Sequence, residues 1–281
     1  MPSRLQSVGT NPTLRNFAKD ASQGSIRKIS SFLAPTVEVP TLTGKYKLYD
    51  AKNRYKRPNT RRSPDGKVTR IGFTAGDAVY SLEPRALDFP IANIETLNDE
   101  QLLNQAMYGT TLLADAAGLD DEAETIDLAL AAVGAGTDVN FKAANFDPID
   151  YLDGIIRDVL LAAKNGAGIR VLFGTDALLR MKNNAAVLGR YNGGAGKALK
   201  VPELDDIAAM LFTKPQVQLA TMVQDVAPEG KAESIQFILG EQIIVFACND
   251  TPNTMDPSFM RRSVFMKIGR ESCRERVLTD V

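Results

Sequence analysis

The sequence predicts a mixed α+β protein whose helices and strands follow one another without the regular βαβ alternation of a parallel sheet. Three observations support this prediction. Apolar residues alternate with basic and small ones across residues 44–75, and from Asn98 onward they recur every three or four positions. Nearer the end, short apolar runs such as Ile243–Cys248 have the length of buried strands. With 281 residues, 44% of them hydrophobic, the chain can bury one large or two modest cores.

Residues 1–42 are predicted to be an N-terminal arm and not a domain, because Ser, Thr, Asn and Pro are frequent there. Pro35 and Pro40 bracket a short extended piece, Thr36–Val39. Five apolar residues of the arm would form an amphipathic turn that docks on a neighbouring molecule, and an ordinary frayed terminus is the alternative. These residues are Phe17, Ile26, Ile29, Phe32 and Leu33.

Residues 43–76 are predicted to form an extended β-hairpin loop that projects from the body. Tyr46 and Leu48 alternate with lysines on the outgoing strand, and Ile71 and Phe73 alternate with other residues on the return strand. The sequence Ser-Pro-Asp-Gly-Lys between them favours a turn, because Pro presets φ and Gly accepts a positive φ. A hairpin this long and polar is not expected in a core.

Residues 77–146 are predicted to form a mostly helical domain. One helix is expected over residues 98–117, with Gly118 as its end, and a second helix is expected from Glu122 to Val133. Gly134 then stands where a helix commonly stops.

Residues 147–250 are predicted to form a second domain of mixed structure. Asp147 and Pro148 mark a helix start, because Asp is a good N-cap and Pro fits the first helical position. A buried strand is expected at residues 169–173, followed by a helix that Thr175 caps. Beyond it, the pattern predicts a glycine-rich loop, a helix start and three strands, at residues 192–196, 202–204, 217–223, 235–239 and 242–247.

The composition argues against an enzyme, because histidine, the commonest general base and metal ligand, does not occur in the sequence. The two cysteines, Cys248 and Cys273, cannot form a zinc site alone and favour a reducing compartment. Cys248 lies in an apolar run and is predicted to be an inert core thiol. The sequence has neither a signal-peptide core nor an apolar run of membrane-span length. We therefore expect a soluble intracellular protein without a cofactor or a metal.

Two segments that look like ligand-binding motifs fail closer tests. The glycine-rich loop before Lys197 has Tyr191 and Ala198 where a phosphate-binding P-loop needs Gly and then Ser or Thr. The acidic run that starts at Asp120 has Thr125 where a calcium-binding loop requires Gly. A flexible connection, and a solvated helix face or interface patch, are the favoured interpretations.

The distribution of charge is more informative than the overall net charge of −1. Residues 45–70 hold ten basic and two acidic residues, a net charge of +8, whereas residues 95–158 have a net charge of −12. The basic residues are Lys45, Lys47, Lys52, Arg54, Lys56, Arg57, Arg61, Arg62, Lys67 and Arg70. The acidic residues predicted to meet them on another copy are Asp99, Glu100, Asp115, Asp120, Asp121, Glu122 and Glu124.

Three interpretations of the basic hairpin are open. A basic projection and an acidic body on one chain favour a heterologous contact between copies, whose repetition builds rings or shells. The hairpin would instead bind nucleic acid phosphates, with Tyr46, Tyr49 and Tyr55 placed for stacking. The simplest alternative is a solvated basic loop.

The order of these elements resembles a known family. A polar arm is followed by a basic hairpin that opens with Gly-Lys-Tyr at 44–46, by Tyr-Ser-Leu at 80–82 and by a long helix. The helix that begins with Asp-Pro is followed by a strand and a helix at 171–179. Over roughly residues 15–267, this order is similar to the tailed-bacteriophage major capsid protein of the Hong Kong 97 type.

The resemblance implies the fold and the partners of the chain. Residues 1–42 would be the N-arm, 43–76 the extended loop, 77–146 the peripheral domain with a spine helix over 98–117, 147–250 the axial domain, and 251–267 the return to the peripheral domain. The implied function is structural: copies would form the pentamers and hexamers of an icosahedral virion capsid, assembled in the bacterial host cytoplasm. Partners would be a separate scaffolding protein, a portal and packaged DNA held by non-specific contact, with no membrane. Alternatives are an encapsulin-like nanocompartment shell and a basic-loop nucleic-acid-binding protein.

Residues 268–281 do not resemble the rest of the chain. They are similar to the peptide obtained when common sequencing-adapter DNA is translated in frame, so we expect a non-native tail in place of a final peripheral-domain strand. The tail would be extended or poorly packed, with Cys273 exposed and unpaired. An ordinary charged tail is the alternative.

Overall fold

The computed structural model describes residues 28–49, 55, 57–61, 66, 68, 70–72, 75–89, 99–134, 136–143, 145–164, 166–193, 200–228, 230–251, 258–265 and 275–279. Its helices are α1 (Lys28–Leu33), α2 (Asp99–Val133), α3 (Pro148–Ala162), α4 (Thr175–Lys182), α5 (Ala185–Tyr191) and α6 (Leu204–Met210). Its strands are β1 (Thr36–Val39), β2 (Thr43–Tyr49), β3 (Ala75–Ser81), β4 (Gly168–Gly174), β5 (Gln216–Ala220), β6 (Val223–Asp225), β7 (Ile235–Phe237), β8 (Ile243–Cys248), β9 (Arg261–Phe265) and β10 (Glu275–Thr279). This irregular mixture confirms the predicted α+β class.

A three-stranded sheet in the order β5-β4-β8 lies between two apolar cores. Strand β4 is parallel to β5 and antiparallel to β8, with Val171 opposite Val245. Val171 and Phe173 belong to the core that includes Ile156 of α3, whereas Leu172 belongs to the core on the other side. Because both faces of the sheet are covered, residues 171–173 of β4 form a continuous apolar run and do not alternate with polar residues.

Helix α3 begins where the sequence predicted. The carboxylate of Asp147 accepts hydrogen bonds from the backbone N–H groups of Ile149 and Asp150, at 3.0 and 3.3 Å. Ile149, Leu152 and Ile156 are buried on one face of the helix, and each such side chain stabilises the fold by about 1.5–3 kcal/mol. A local cap and a buried stripe therefore fix the start and the orientation of α3.

Helix α1 packs against α2 of its own chain. Ile29 and Leu33 are buried in the same core as Ile126. The apolar turn predicted to dock on a neighbour therefore docks within its own chain, and Phe17 and Ile26 lie outside the described residues.

A second three-stranded sheet has the order β1-β9-β10. Strand β1 confirms the extended piece predicted between the two prolines and runs parallel to β9, with Thr36 opposite Arg262. Strand β10 is antiparallel to β9, so part of the tail is extended, as expected, and paired. Cys273 lies outside the described residues.

Helix α2 corrects the predicted break at Gly118, because it is one continuous helix of 35 residues. Glycine inside a helix costs about 1 kcal/mol, which is small when Leu and Ala extend the helix on both sides and its face packs in a core. The predicted end is confirmed: Gly134 has φ 74°, and its N–H donates to the Leu130 carbonyl over 3.0 Å.

The hairpin is formed by β2 and β3, which in the described part of the chain pair with each other alone. Thr43 is opposite Ser81 and Tyr49 is opposite Ala75, so the return strand lies later than the predicted one around Ile71. In this register the buried ring of Tyr80 lies over Gly44, where the absence of a Cβ leaves room for it. The predicted turn at Pro64 and Asp65 lies outside the described residues.

Two features of the predicted second domain also differ from the prediction. Thr175 does not cap α4: Gly174 is the N-cap, and the Thr175 hydroxyl donates instead to the Ala220 carbonyl over 2.8 Å. The strand predicted at 217–223 is two strands, β5 and β6, because the chain leaves the central sheet after Ala220. Of the glycine-rich loop, residues 194–196 lie outside the described part.

Candidate assembly surfaces

The described residues of the hairpin present basic and apolar side chains to solvent. Lys45, Tyr46 and Lys47 are exposed on β2, and Val79 is 66% exposed on β3. Lys47 has an ion-pair partner within the hairpin, since its Nζ lies 3.2 Å from Asp77 Oδ1. This surface is amphipathic and faces water along both strands.

Further along the loop, Arg57, Arg61 and Arg70 are also exposed. The ring of Tyr55 lies 5.5 Å from Lys164 Nζ, next to the end of α3. The remaining predicted basic residues lie outside the described part: Lys52, Arg54, Lys56, Arg62 and Lys67.

Two predicted acidic residues on α2 contact their own chain. Arg85, in the segment after β3, donates to Asp120 Oδ2 over 3.2 Å and also to the carboxylate of Glu124. Asp115 is exposed, and the side chains of Asp99 and Glu100 lie outside the described part.

The acidic run that starts at Asp120 was predicted to be a solvated helix face or an interface patch, and this prediction is wrong for Asp121 and Glu122, which are both buried. Glu122 Oε2 accepts from the Ser30 N–H over 2.7 Å, and Glu122 Oε1 accepts from the Ser30 hydroxyl over 3.0 Å. Asp121 Oδ1 accepts from Arg262 Nη2 over 2.5 Å. These residues form a buried polar cluster between α1, α2 and β9.

The cluster contains two carboxylates and one guanidinium. Burial raises the pKa of Glu122 above its ordinary value, and the hydrogen bonds from Ser30 act in the opposite direction. A carboxylate removed from water is costly unless hydrogen bonds compensate it, and Ser30 supplies two of them.

A helical pattern could have shown that these residues face inward. Glu122, Thr125, Ile126 and Ala129 lie three or four positions apart, and all four are buried. No sequence pattern indicates that Ser30 and Arg262 contact Asp121 and Glu122, because these contacts join segments that are far apart in the sequence.

A short ribbon formed by β6 and β7 is a second exposed surface. Val223 is opposite Phe237 and both lie on the face that also holds Ile235, whereas Gln224 and Gln236 form the other face. The three apolar side chains are 42–64% exposed. The ribbon's connection is fixed by Asp225, whose Oδ1 accepts backbone N–H groups of residues 227 and 234 at 2.9 Å; these bonds lower the pKa of Asp225.

One open cavity of about 430 Å³ lies at one end of the central sheet, and another of about 630 Å³ lies beside α4. The first is lined in part by Arg170, Lys214, Asn249 and Asp250, and the second in part by Phe141, Lys142, Leu179 and Arg180. Arg170 is already bound, because it donates to the Phe32 carbonyl over 2.8 Å and to Asp250.

Within the described ranges, no group of three or more His, Cys, Asp or Glu side chains is arranged to hold a metal ion. No described helix combines the length and the apolar character needed to cross a membrane. Cys248 is buried in β8, as predicted for a core thiol.

The chain is similar in structure to a phage-related protein from Bordetella bronchiseptica RB50. The TM-score is 0.63 at 16% sequence identity, and the match covers 95% of this chain and 91% of the other. The two chains share a fold. This likeness supports the mixed helix and strand architecture over nearly the whole length. No protein-family model matches the sequence, and no curated protein matches it.

Weaker likenesses link the chain to two further structures. A virus-like particle from Pyrococcus furiosus matches with a TM-score of 0.48 and 12% identity, over 94% of this chain and 89% of the other. The capsid of cyanophage P-SCSP1u matches with a TM-score of 0.46 and 12% identity, over 88% of this chain and 80% of the other.

Proposed function

We propose that this chain is a structural protein that self-assembles into a closed shell, as the major capsid protein of a tailed bacteriophage of the Hong Kong 97 type. The observation that supports the proposal best is the β2–β3 hairpin, whose basic and apolar side chains face water on a fold shared with a phage-related protein. A ribbon of this kind is marginal alone, and a neighbouring copy would cover it.

The proposed contact is heterologous: the hairpin of one copy lies on a different surface of the next. Such contacts close into rings when the rotation permits, and rings of five and six build an icosahedral shell. Exposed basic residues for this contact include Lys45, Arg57, Arg61 and Arg70, and the exposed acidic residues of α2 include Asp115. Asp99 and Glu100 remain proposed partners at the start of α2.

We propose further that the chain acts without catalysis or a cofactor. A separate scaffolding protein guides assembly, and a portal and DNA join the finished shell inside the host cell. Residues 28–39 belong to the body and not to a free arm, and the extended loop runs to Ser81. We also propose that residues 268–281 are a non-native tail, part of which pairs with β9.

The test is expression of the chain, followed by sedimentation and negative-stain imaging, at low and at high protein concentration. Closed particles of uniform size would support the proposal. Protein that stays monomeric under both conditions, and binds a DNA duplex tightly, would instead identify a nucleic-acid-binding protein. Particles that enclose an enzyme and exclude DNA would identify a nanocompartment shell.

A further inference from the structure

A short segment, the strap (residues 82–89), leaves the end of β3 and lies along α2. At its start, Leu82 is buried, and its backbone N–H donates to the Leu42 carbonyl over 2.8 Å. The base of the hairpin and the start of the strap are therefore one hydrogen-bonded unit, so whatever fixes the strap also fixes the hairpin.

The middle of the strap is fixed by Arg85. Asp120 and Glu124 are four residues apart on α2 and so lie on the same face of the helix. One terminal nitrogen of Arg85 is 3.2 Å from Asp120 Oδ2, and the other contacts Glu124. A guanidinium bonds both carboxylates at once because its donors are held in a planar fork, whereas a lysine ammonium lacks that fork.

The end of the strap is fixed by an aromatic contact. The ring of Phe89 lies over Gly109, so closely that a Cβ at position 109 would be 2.4 Å from Phe89 Cδ1. Gly109 and Asp120 are separated by about 16 Å along the helix at 1.5 Å per residue. Four extended residues, from Arg85 to Phe89, span at most about 14 Å, and the long Arg85 side chain covers the remainder. The strap therefore runs antiparallel to α2.

We infer that Arg85 is a positioning residue that sets the direction of the β2–β3 hairpin relative to α2. Only three residues separate the end of β3 from Arg85, so a rotation of the hairpin about its base would pull Arg85 away from its two carboxylates. On this inference, Asp120 and Glu124 serve the strap of their own chain and not the hairpin of a neighbour. The importance of the hairpin direction rests on the proposed function.

The test measures hairpin direction in unassembled protein. Spin labels at Lys45→Cys on β2 and Asp115→Cys on α2, both exposed positions, report the distance between hairpin and helix in a Cys248→Ala, Cys273→Ser background. Arg85→Ala should release the strap and broaden the distance distribution, because both ion pairs that hold the middle of the strap are lost. Arg85→Lys should give an intermediate width. Arg157→Ala is the control, because it removes an exposed pair with Asp158 elsewhere.

A second variant tests the same inference without a charge change. Gly109→Ala should displace the Phe89 ring and broaden the distribution, whereas Gly154→Ala, on α3 with nothing within 4 Å of the added Cβ, should not. A parent-like narrow distribution in Arg85→Ala would overturn the inference whatever Gly109→Ala shows, and broadening in Gly109→Ala alone would assign the role to Phe89. Broadening in a chain that builds no shell would support it and count against the proposed function alone.

Discussion

Arg262 of β9 and Asp121 of α2 form an ion pair inside the molecule, although 141 positions separate them in the sequence. The two side chains are each 7% exposed, and Arg262 Nη2 lies 2.5 Å from Asp121 Oδ1. Ser30 of α1 lies on the other side of the guanidinium, 3.4 Å from Nη1. One buried pair therefore links three segments that are far apart along the chain.

Replacement of Arg262 by alanine should destabilise the fold strongly. The substitution leaves Asp121 and Glu122 buried without their cation, and breaking a buried pair in this way typically costs about 3–5 kcal/mol. The free energy of unfolding, measured by urea denaturation with circular dichroism, should fall by that amount.

The control for this variant is Arg157→Ala, which removes a pair whose side chains are each 70% exposed. An exposed pair is worth about 0–1 kcal/mol, so this variant should unfold almost as the parent does. Equal losses in the two variants would show that the buried pair has no special role.

The stability of the chain should depend on pH through Glu122. Burial raises the pKa of Glu122 above its ordinary value of 4.5, so the folded chain holds this proton more tightly than the unfolded chain. The contribution of Glu122 to the free energy of unfolding is then fully present below pH 4.5 and is lost as the pH rises through the raised pKa.

Glu122→Gln isolates this contribution, because glutamine has nearly the same shape and still accepts a bond from Ser30. The stability of the variant relative to the parent should rise as the pH increases from 4 to 8, measured by urea denaturation across that range. Backbone N–H donors lower the pKa values of Asp206 and Asp225, so these two groups stabilise the fold more as the pH rises. Their contribution is the same in the parent and in the variant, and it cancels when the two free energies of unfolding are subtracted. A difference that stays constant with pH would contradict the prediction.

The parts of the fold that the sequence predicted are those set by neighbouring residues. The start of α3 depends on Asp147 and the residues two and three positions later, and the end of α2 depends on Gly134. The apolar run of β4 follows from a sheet covered on both faces. Each of these signals is complete within a few residues.

The parts that the sequence did not predict depend on distant contacts. The ring of Tyr80 lies over Gly44 of the partner strand, and the bonds to the Glu122 carboxylate come from Ser30, 92 positions away. The argument from net charge assumed that the acidic residues of α2 are exposed. Glu122 lies on the same helix face as Ile126, which is buried. The exposed arginines of the loop could be predicted from composition alone, whereas the acidic half of the candidate site could not.

Gly44→Ala should loosen the hairpin. The added Cβ would lie 2.5 Å from the Tyr80 hydroxyl oxygen and 2.6 Å from the ring, so Tyr80 must move away from Thr41, to which its hydroxyl is bonded at 2.9 Å. Overpacking of this kind costs about 1–3 kcal/mol. Amide hydrogen exchange in β2 and β3 should accelerate accordingly.

The matched control is Gly76→Ala, which lies in the same hairpin opposite Leu48 and whose Cβ would meet nothing within 4 Å. Exchange in this variant should remain at or below the parent rate. If the two variants exchange alike, Tyr80 does not fix the register.

The basic charge of the hairpin should be needed for shell assembly. Arg57, Arg61 and Arg70 are exposed, so their replacement together by glutamate should leave the monomer folded and prevent shell formation. Each exposed ion pair contributes only about 0.2–1 kcal/mol, but the contact repeats on every copy, so small losses accumulate over the shell. Screening acts over about 10 Å at 0.1 M salt, and parent shells should therefore form less readily as salt increases.

The control replaces Lys142, Arg157 and Lys231 together by glutamate; all three are exposed, and the net charge changes by the same amount. Particle yield is measured by sedimentation and folding by circular dichroism. Shells from the hairpin variant in parent yield, or equal losses in both variants, would show that the hairpin charge is only a solvated surface.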